Sequence, residues 1–135
     1  MTKRSAGMKE RFIPGVDTWI ASDSATSSYS GVFDDDGETA YFYAIDRAKA
    51  EGSILDAVHI YNAASVSDRA RESEAEIVWS SDGLKVGLLI NERLHAVIDF
   101  ERRKAYCRGN FPPPGSEWHA DARDPWRDDL ATLLE

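Results

Sequence analysis

Cysteine is nearly absent: Cys107 is the single one in 135 residues, so no internal disulfide can form, which agrees with a reducing compartment. No apolar run is long enough to span a bilayer, and no apolar segment follows the basic N-terminal residues as it would in a secretory signal. Membrane insertion and secretion are therefore not expected, and a cytoplasmic location is. Basic charge is also short, with 16 lysines and arginines against 24 aspartates and glutamates, for a net charge of −8. Such a surface repels phosphate backbones, which argues against a general nucleic-acid binder. The chain also has no G-x-S-x-G elbow, P-loop, H-E-x-x-H or G-x-G-x-x-G segment. Triads assemble from distant residues, so an enzyme is not excluded, but no local motif gives a reason to propose one.

What is present suits one globular unit. Hydrophobic residues make up 42% and charged residues 30%, enough for one core under an ordinary polar surface, and the length fits a single domain over 1–135. Lys3, Arg4, Lys9 and Arg11 against Glu10 give the first eleven residues +3 and leave −11 for the rest. The segment 1–11 reads as a flexible basic arm.

Internal similarity organises the remainder. VFDDDGETAYFYAI from Val32 aligns with VWSSDGLKVGLLIN from Val78, and ILDAVHIY from Ile54 aligns with RLHAVIDF from Arg93. Each copy, 32–61 and 78–108, reads as a three-stranded antiparallel meander. Period-two alternation puts Ala40, Phe42 and Ala44 on one face with Val86, Leu88 and Ile90 as their counterparts, so that face is expected inward. By the same alignment Leu55, Ala57, His59 and Tyr61 match Leu94, Ala96, Ile98 and Phe100 and are expected inward too. VDTWIA before the first copy and AYCRG after the second bring the total to about eight strands. In DPWRDDLATLLE, Asp124 is a suitable N-cap, Pro125 a first helical residue, and Trp126, Leu130, Leu133 and Leu134 share a face. The expected fold is mainly β (α+β): an antiparallel sandwich or partly open barrel of two similar meanders, with a C-terminal α-helix over 124–134 packed on the sheet.

The DDDG segment invites a cation site, but an EF-hand register that places Gly37 sixth puts Val32 first and Tyr43 twelfth, both without the required oxygen. Asp-Gly between strand-like runs is a hairpin turn, repeated as Asp82-Gly83. The turn needs Asp36 and Gly37 only, which leaves Asp34 and Asp35 free for an interaction surface. Tyr41 and Tyr43 lie opposite the core face; a second sheet or the helix is expected to cover them, and left uncovered they would meet a partner. His59, on the inward set, reads as a core histidine, and His95 points outward, so no shared metal is expected.

The segments FDDDGETAYFYAID, ILDAVHIYN, IVWSSDGLKVGLLIN and HAVIDFERRKAYCR, with Trp118, resemble a family of short uncharacterised bacterial cytosolic proteins, classed as a domain of unknown function. That resemblance implies no activity and no catalytic residues. Residues 78–90 are also similar to the Asp-Gly hairpins of β-propeller blades, though two such units cannot close a propeller. The reading that follows is a small acidic noncatalytic protein-interaction module, by analogy of charge and size with toxin-neutralising immunity proteins. Its partner is another protein or a second copy, and neither cofactor nor metal is expected. The alternative is a small-ligand binder or enzyme with a pocket between sheet and C-terminal helix, for which His59, Trp118 and Trp126 are the lining candidates.

Overall fold

Period-two sequence becomes period-two burial. In β4 (Thr39–Asp46) Ala40, Phe42 and Ala44 are fully buried while Thr39, Tyr41 and Tyr43 are half-exposed, as a strand with one packed face requires. The computed structural model describes residues 9–49, 53–66, 71–108, 126 and 128–135. Over these, β2 (Thr18–Asp23), β3 (Tyr29–Asp35), β4 and β5 (Ser53–Asn62) form a four-stranded antiparallel sheet in that order. A five-stranded antiparallel sheet has the order β1 (Lys9–Phe12), β6 (Ser73–Trp79), β7 (Lys85–Ile90), β8 (Arg93–Asp99) and β9 (Lys104–Cys107). The sheets pack face to face without closing into a barrel among the described residues. Phe33 and Phe42 meet Ile77, Leu88 and Ile98 in the core between them, and Tyr29 stacks on Phe100 with ring centroids 4.2 Å apart.

The two Asp-Gly turns lock opposite ends of this sandwich, and they do it differently. At the β3–β4 turn Gly37 has φ +102°, and Asp36 Oδ1 accepts hydrogen bonds from the Glu38 and Thr39 amides. Asp35, fully buried, accepts from the Gly37 amide at 2.9 Å, the Gly15 amide at 2.8 Å and the Tyr61 hydroxyl at 2.5 Å. One carboxylate thus ties the β1–β2 loop and the end of β5 to the turn. At the β6–β7 turn the Gly83 carbonyl accepts from the Ser24 and Ser27 hydroxyls, and the Thr26 hydroxyl donates to the Asp82 carbonyl. A side chain at Gly83 would run into Ser24 and Thr26. The hairpins also differ in register: Phe33 pairs with Phe42, whereas Trp79 pairs with Val86.

Several expectations need correction. Of the expected arm, residues 1–8 lie outside the described residues, and Lys9 to Arg11 form with Phe12 an edge strand, with Phe12 against Phe33 and ion pairs of Lys9 with Glu74 and Arg11 with Glu72 on the neighbouring β6 side. The third strands of the two expected copies do not superpose face for face. The β4–β5 pairing slips between Ala40 and Tyr41 and again between Ala44 and Ile45, so Val58 points inward while Ala57 and His59 point outward. Leu55 and Tyr61 still reach the core because the same slips restore the phase. A slip between Leu88 and Leu89 likewise turns Leu94 outward while Ala96 and Ile98 face in.

The expected C-terminal α-helix is a short 3-10 turn, Asp128–Leu134; Asp124 and Pro125 lie outside the described residues. Seven residues are too few to sustain an α-helix by themselves, and the Thr132 hydroxyl donates to the Asp129 carbonyl, which favours the tighter winding. Packing holds the turn in place. Leu130 and Leu134 are fully buried against Val78, Leu89, Val97 and Tyr106 on the outer face of the five-stranded sheet. Gly87 makes that approach possible, since a Cβ there would lie 2.6 Å from Leu134 Cδ1.

Three outcomes follow. Asp35→Ala leaves three partly buried donors without their acceptor and should cost about 3 kcal/mol, against about 1 kcal/mol for Tyr61→Phe, read from urea unfolding. Gly87→Val should displace the C-terminal turn, lowering the unfolding free energy measured in urea by about 1–3 kcal/mol and opening that segment to protease. His95, at the β8 slip, is pushed down to about 4 from 6.5 by burial and by Arg108 and Arg93. Because the unfolded chain takes up that proton first, stability should fall as pH drops below about 6.5 and level off below about 4. His95→Gln should remove that part of the urea-midpoint loss.

Candidate functional site

The outer face of the four-stranded sheet is built from two cross-strand rows. Trp19 pairs with Asp34, Asp34 with Tyr41, and Tyr41 with His59; in the next row come Ala21, Val32, Tyr43 and Ala57. Alternation fixes their common direction, since Ile20, Phe33 and Phe42 between them point to the core. The rings touch one another. Tyr41 and Tyr43 are stacked at 6.0 Å between centroids, Trp19 lies 6.4 Å from Tyr43, and His59 meets Tyr41 edge-on at 5.7 Å. Trp19 is 61% exposed, the highest value among the large hydrophobic side chains on the described surface. This arrangement is unlike the opposite outer face, which the C-terminal turn covers.

A carboxylate sits inside the aromatic rows. The Tyr43 hydroxyl donates to Asp34 Oδ2 at 3.2 Å, and Oδ1 takes no hydrogen bond from any described residue. Partial burial raises the Asp34 carboxyl above its ordinary range despite that bond, and the nearby charges of Asp36, Asp17 and Asp35 raise it further. Burial and the Asp34 charge push Tyr43 up to about 12. Asp36 is held below the ordinary range by the Thr39 and Glu38 amides and stays ionised. Lys9, Arg11, Arg47, Lys85 and Arg102 are paired with acids elsewhere, whereas among the described residues no cation pairs with Asp17, Asp34 or Asp36. The face therefore combines exposed rings with uncompensated negative charge.

Of the residues singled out from sequence, Asp34, Tyr41 and Tyr43 come together here. Among the described residues neither a second sheet nor the C-terminal turn lies over the two tyrosines, contrary to the expectation. Asp35 is not part of the surface: one step along β3, it points inward and is a structural acceptor. His59 is not a core histidine; its ring is on the outer face, with Nε2 3.1 Å from Asn62 Oδ1. Trp126 lies on the far side of the sandwich beneath the Arg108 guanidinium, 4.7 Å from its ring centroid, and Trp118 lies outside the described residues. His59 and Trp126 therefore lie on opposite outer faces of the sandwich, and Leu130 and Leu134 are buried beneath the C-terminal turn. Trp19 was missed. VDTWIA shows that Trp19 and Ile20 face opposite ways, but only the pairing with β3 decides that the isoleucine goes inside. Among the described residues no group of three or more histidine, cysteine, aspartate or glutamate side chains could hold a metal, and no helix is long and apolar enough to cross a membrane.

A protein from Haemophilus influenzae described as uncharacterized is 41% identical over 86 residues, covering 64% of this chain and 53% of that one, so the chain spans about half that relative's length. No solved structure matches. The family model described as "Uncharacterized protein conserved in bacteria (DUF2251)" matches residues 12–135, and the chain belongs to that family.

Proposed function

We propose that this chain is a noncatalytic protein-interaction module that binds a partner protein of basic surface through the outer face of its four-stranded sheet. One observation carries the reading: the five-stranded sheet buries its outer face under the C-terminal turn, while the other outer face keeps Trp19 and two tyrosines accessible beside carboxylates that no described cation pairs with. Exposed aromatic clusters of this kind are enriched where proteins meet. The charge selects the partner. A net −8 chain with acids on this face disfavours a second copy and favours a cationic surface, whose approach long-range attraction accelerates.

Site-specific photo-crosslinking in cells tests this, with the benzophenone amino acid placed at Trp19 or, as a control on the covered side, at Thr132. A discrete heterologous adduct from position 19 only, carrying a basic protein, is expected. Equal labelling from both positions, an adduct of twice the chain's mass, or no adduct would each overturn it.

A further inference from the structure

We propose that the anchor of recognition on this face is an arginine side chain of the partner, its guanidinium laid on the exposed indole of Trp19 and donating to Asp34. The inference rests on the assignment of this face as the recognition surface, and it specifies which chemistry the face reads. Three observations lead to it. Trp19 and Asp34 are direct cross-strand partners, so their side chains stand side by side on one face. Tyr43 occupies Asp34 Oδ2 and leaves Oδ1 open, and it also braces the Trp19 ring from the neighbouring row. The third observation is the lack of any described cation paired with Asp17, Asp34 or Asp36.

A planar guanidinium satisfies both groups at once. Its face stacks on the indole while its edge donates N–H bonds, in the guanidinium's own plane, to a carboxylate beside the ring. An ammonium is compact and strongly hydrated, so it can sit over the ring or against the carboxylate but gains little from both. The molecule already contains the same arrangement on its other side, where Arg108 lies 4.7 Å over the Trp126 ring while donating to the Leu94 carbonyl.

The test is an NMR titration of the full chain, following the Trp19 indole N–H and the Asp34 and Tyr43 amides. The probes are a blocked Gly-Arg-Gly-Arg-Gly peptide, its lysine counterpart and its citrulline counterpart, which keeps the shape and loses the charge. The arginine peptide should shift those three signals, lysine should bind several-fold more weakly, and citrulline should be silent. Asp34→Asn, which still accepts from Tyr43, should weaken arginine binding about tenfold. Asp129→Asn makes the same charge change on the covered side and should leave the affinity unchanged. Equal response to citrulline or lysine, shifts spread over all acidic regions, or equal losses in the two variants would overturn the arginine anchor. If the position-19 crosslink forms and the arginine peptide is silent, the anchor fails and the face assignment stands; if neither appears, both fail.

Discussion

The Asp35 carboxylate is the constraint around which this sandwich is arranged. It is fully buried, and it accepts from two backbone amides and one phenol that belong to three separate segments. A buried anion is tolerated only when its lone pairs are met, and donors that lose such an acceptor are left stranded. The turn, the β1–β2 loop and the end of β5 therefore have to arrive together. Burial, then the bond to Asp35 and its charge, push the Tyr61 phenol up, so the hydroxyl remains a donor under all ordinary conditions. With Asp35 fixed inward, the pleat sends Asp34 outward. Two adjacent aspartates consequently have unrelated roles, one inside the architecture and one on the proposed recognition face.

A sandwich has two outer faces, and here they are treated differently. Gly87 lets the C-terminal turn press Leu134 onto the five-stranded sheet, and the apolar side chains there are removed from water by the chain itself. On the four-stranded sheet the rows are short of aliphatic bulk but rich in rings, with polar tips that tolerate water. Under the proposed reading Trp19 and the tyrosines stay exposed in the free protein at modest cost, and the like charge of the acids around them opposes self-association. That balance between solubility and available contact area is what a binding face needs.

Much of this was legible in the sequence. Strict alternation in TAYFYAID fixed which residues of β4 are inside, because a strand with one packed face leaves a period of two. Asp-Gly gave both hairpin turns, since Gly37 and Gly83 take positive φ that other residues avoid. Asp34, Tyr41 and Tyr43 were recognisable as residues that the turn and the core did not require. Asp35 was not, because nothing local distinguishes an aspartate that faces solvent from one that meets Gly15 and Tyr61 from distant parts of the chain. His59 was misplaced because β-bulges have no composition of their own, and two slips in β5 reverse the phase that its match with β8 implied. The C-terminal helix pattern was present, but its α-helical form did not survive a docking surface that needs only two leucines.

By itself the amino-acid sequence determined the two faces of β4, the turns, the acidic balance and the absence of a local catalytic motif, because each depends on neighbours within a few positions. The tertiary structure alone decided which of two outer faces the chain covers, which aspartate is buried, and that Trp19 stands beside Asp34. Those outcomes depend on pairing register and on contacts between segments far apart in the chain, where a shift of one residue exchanges inside for outside.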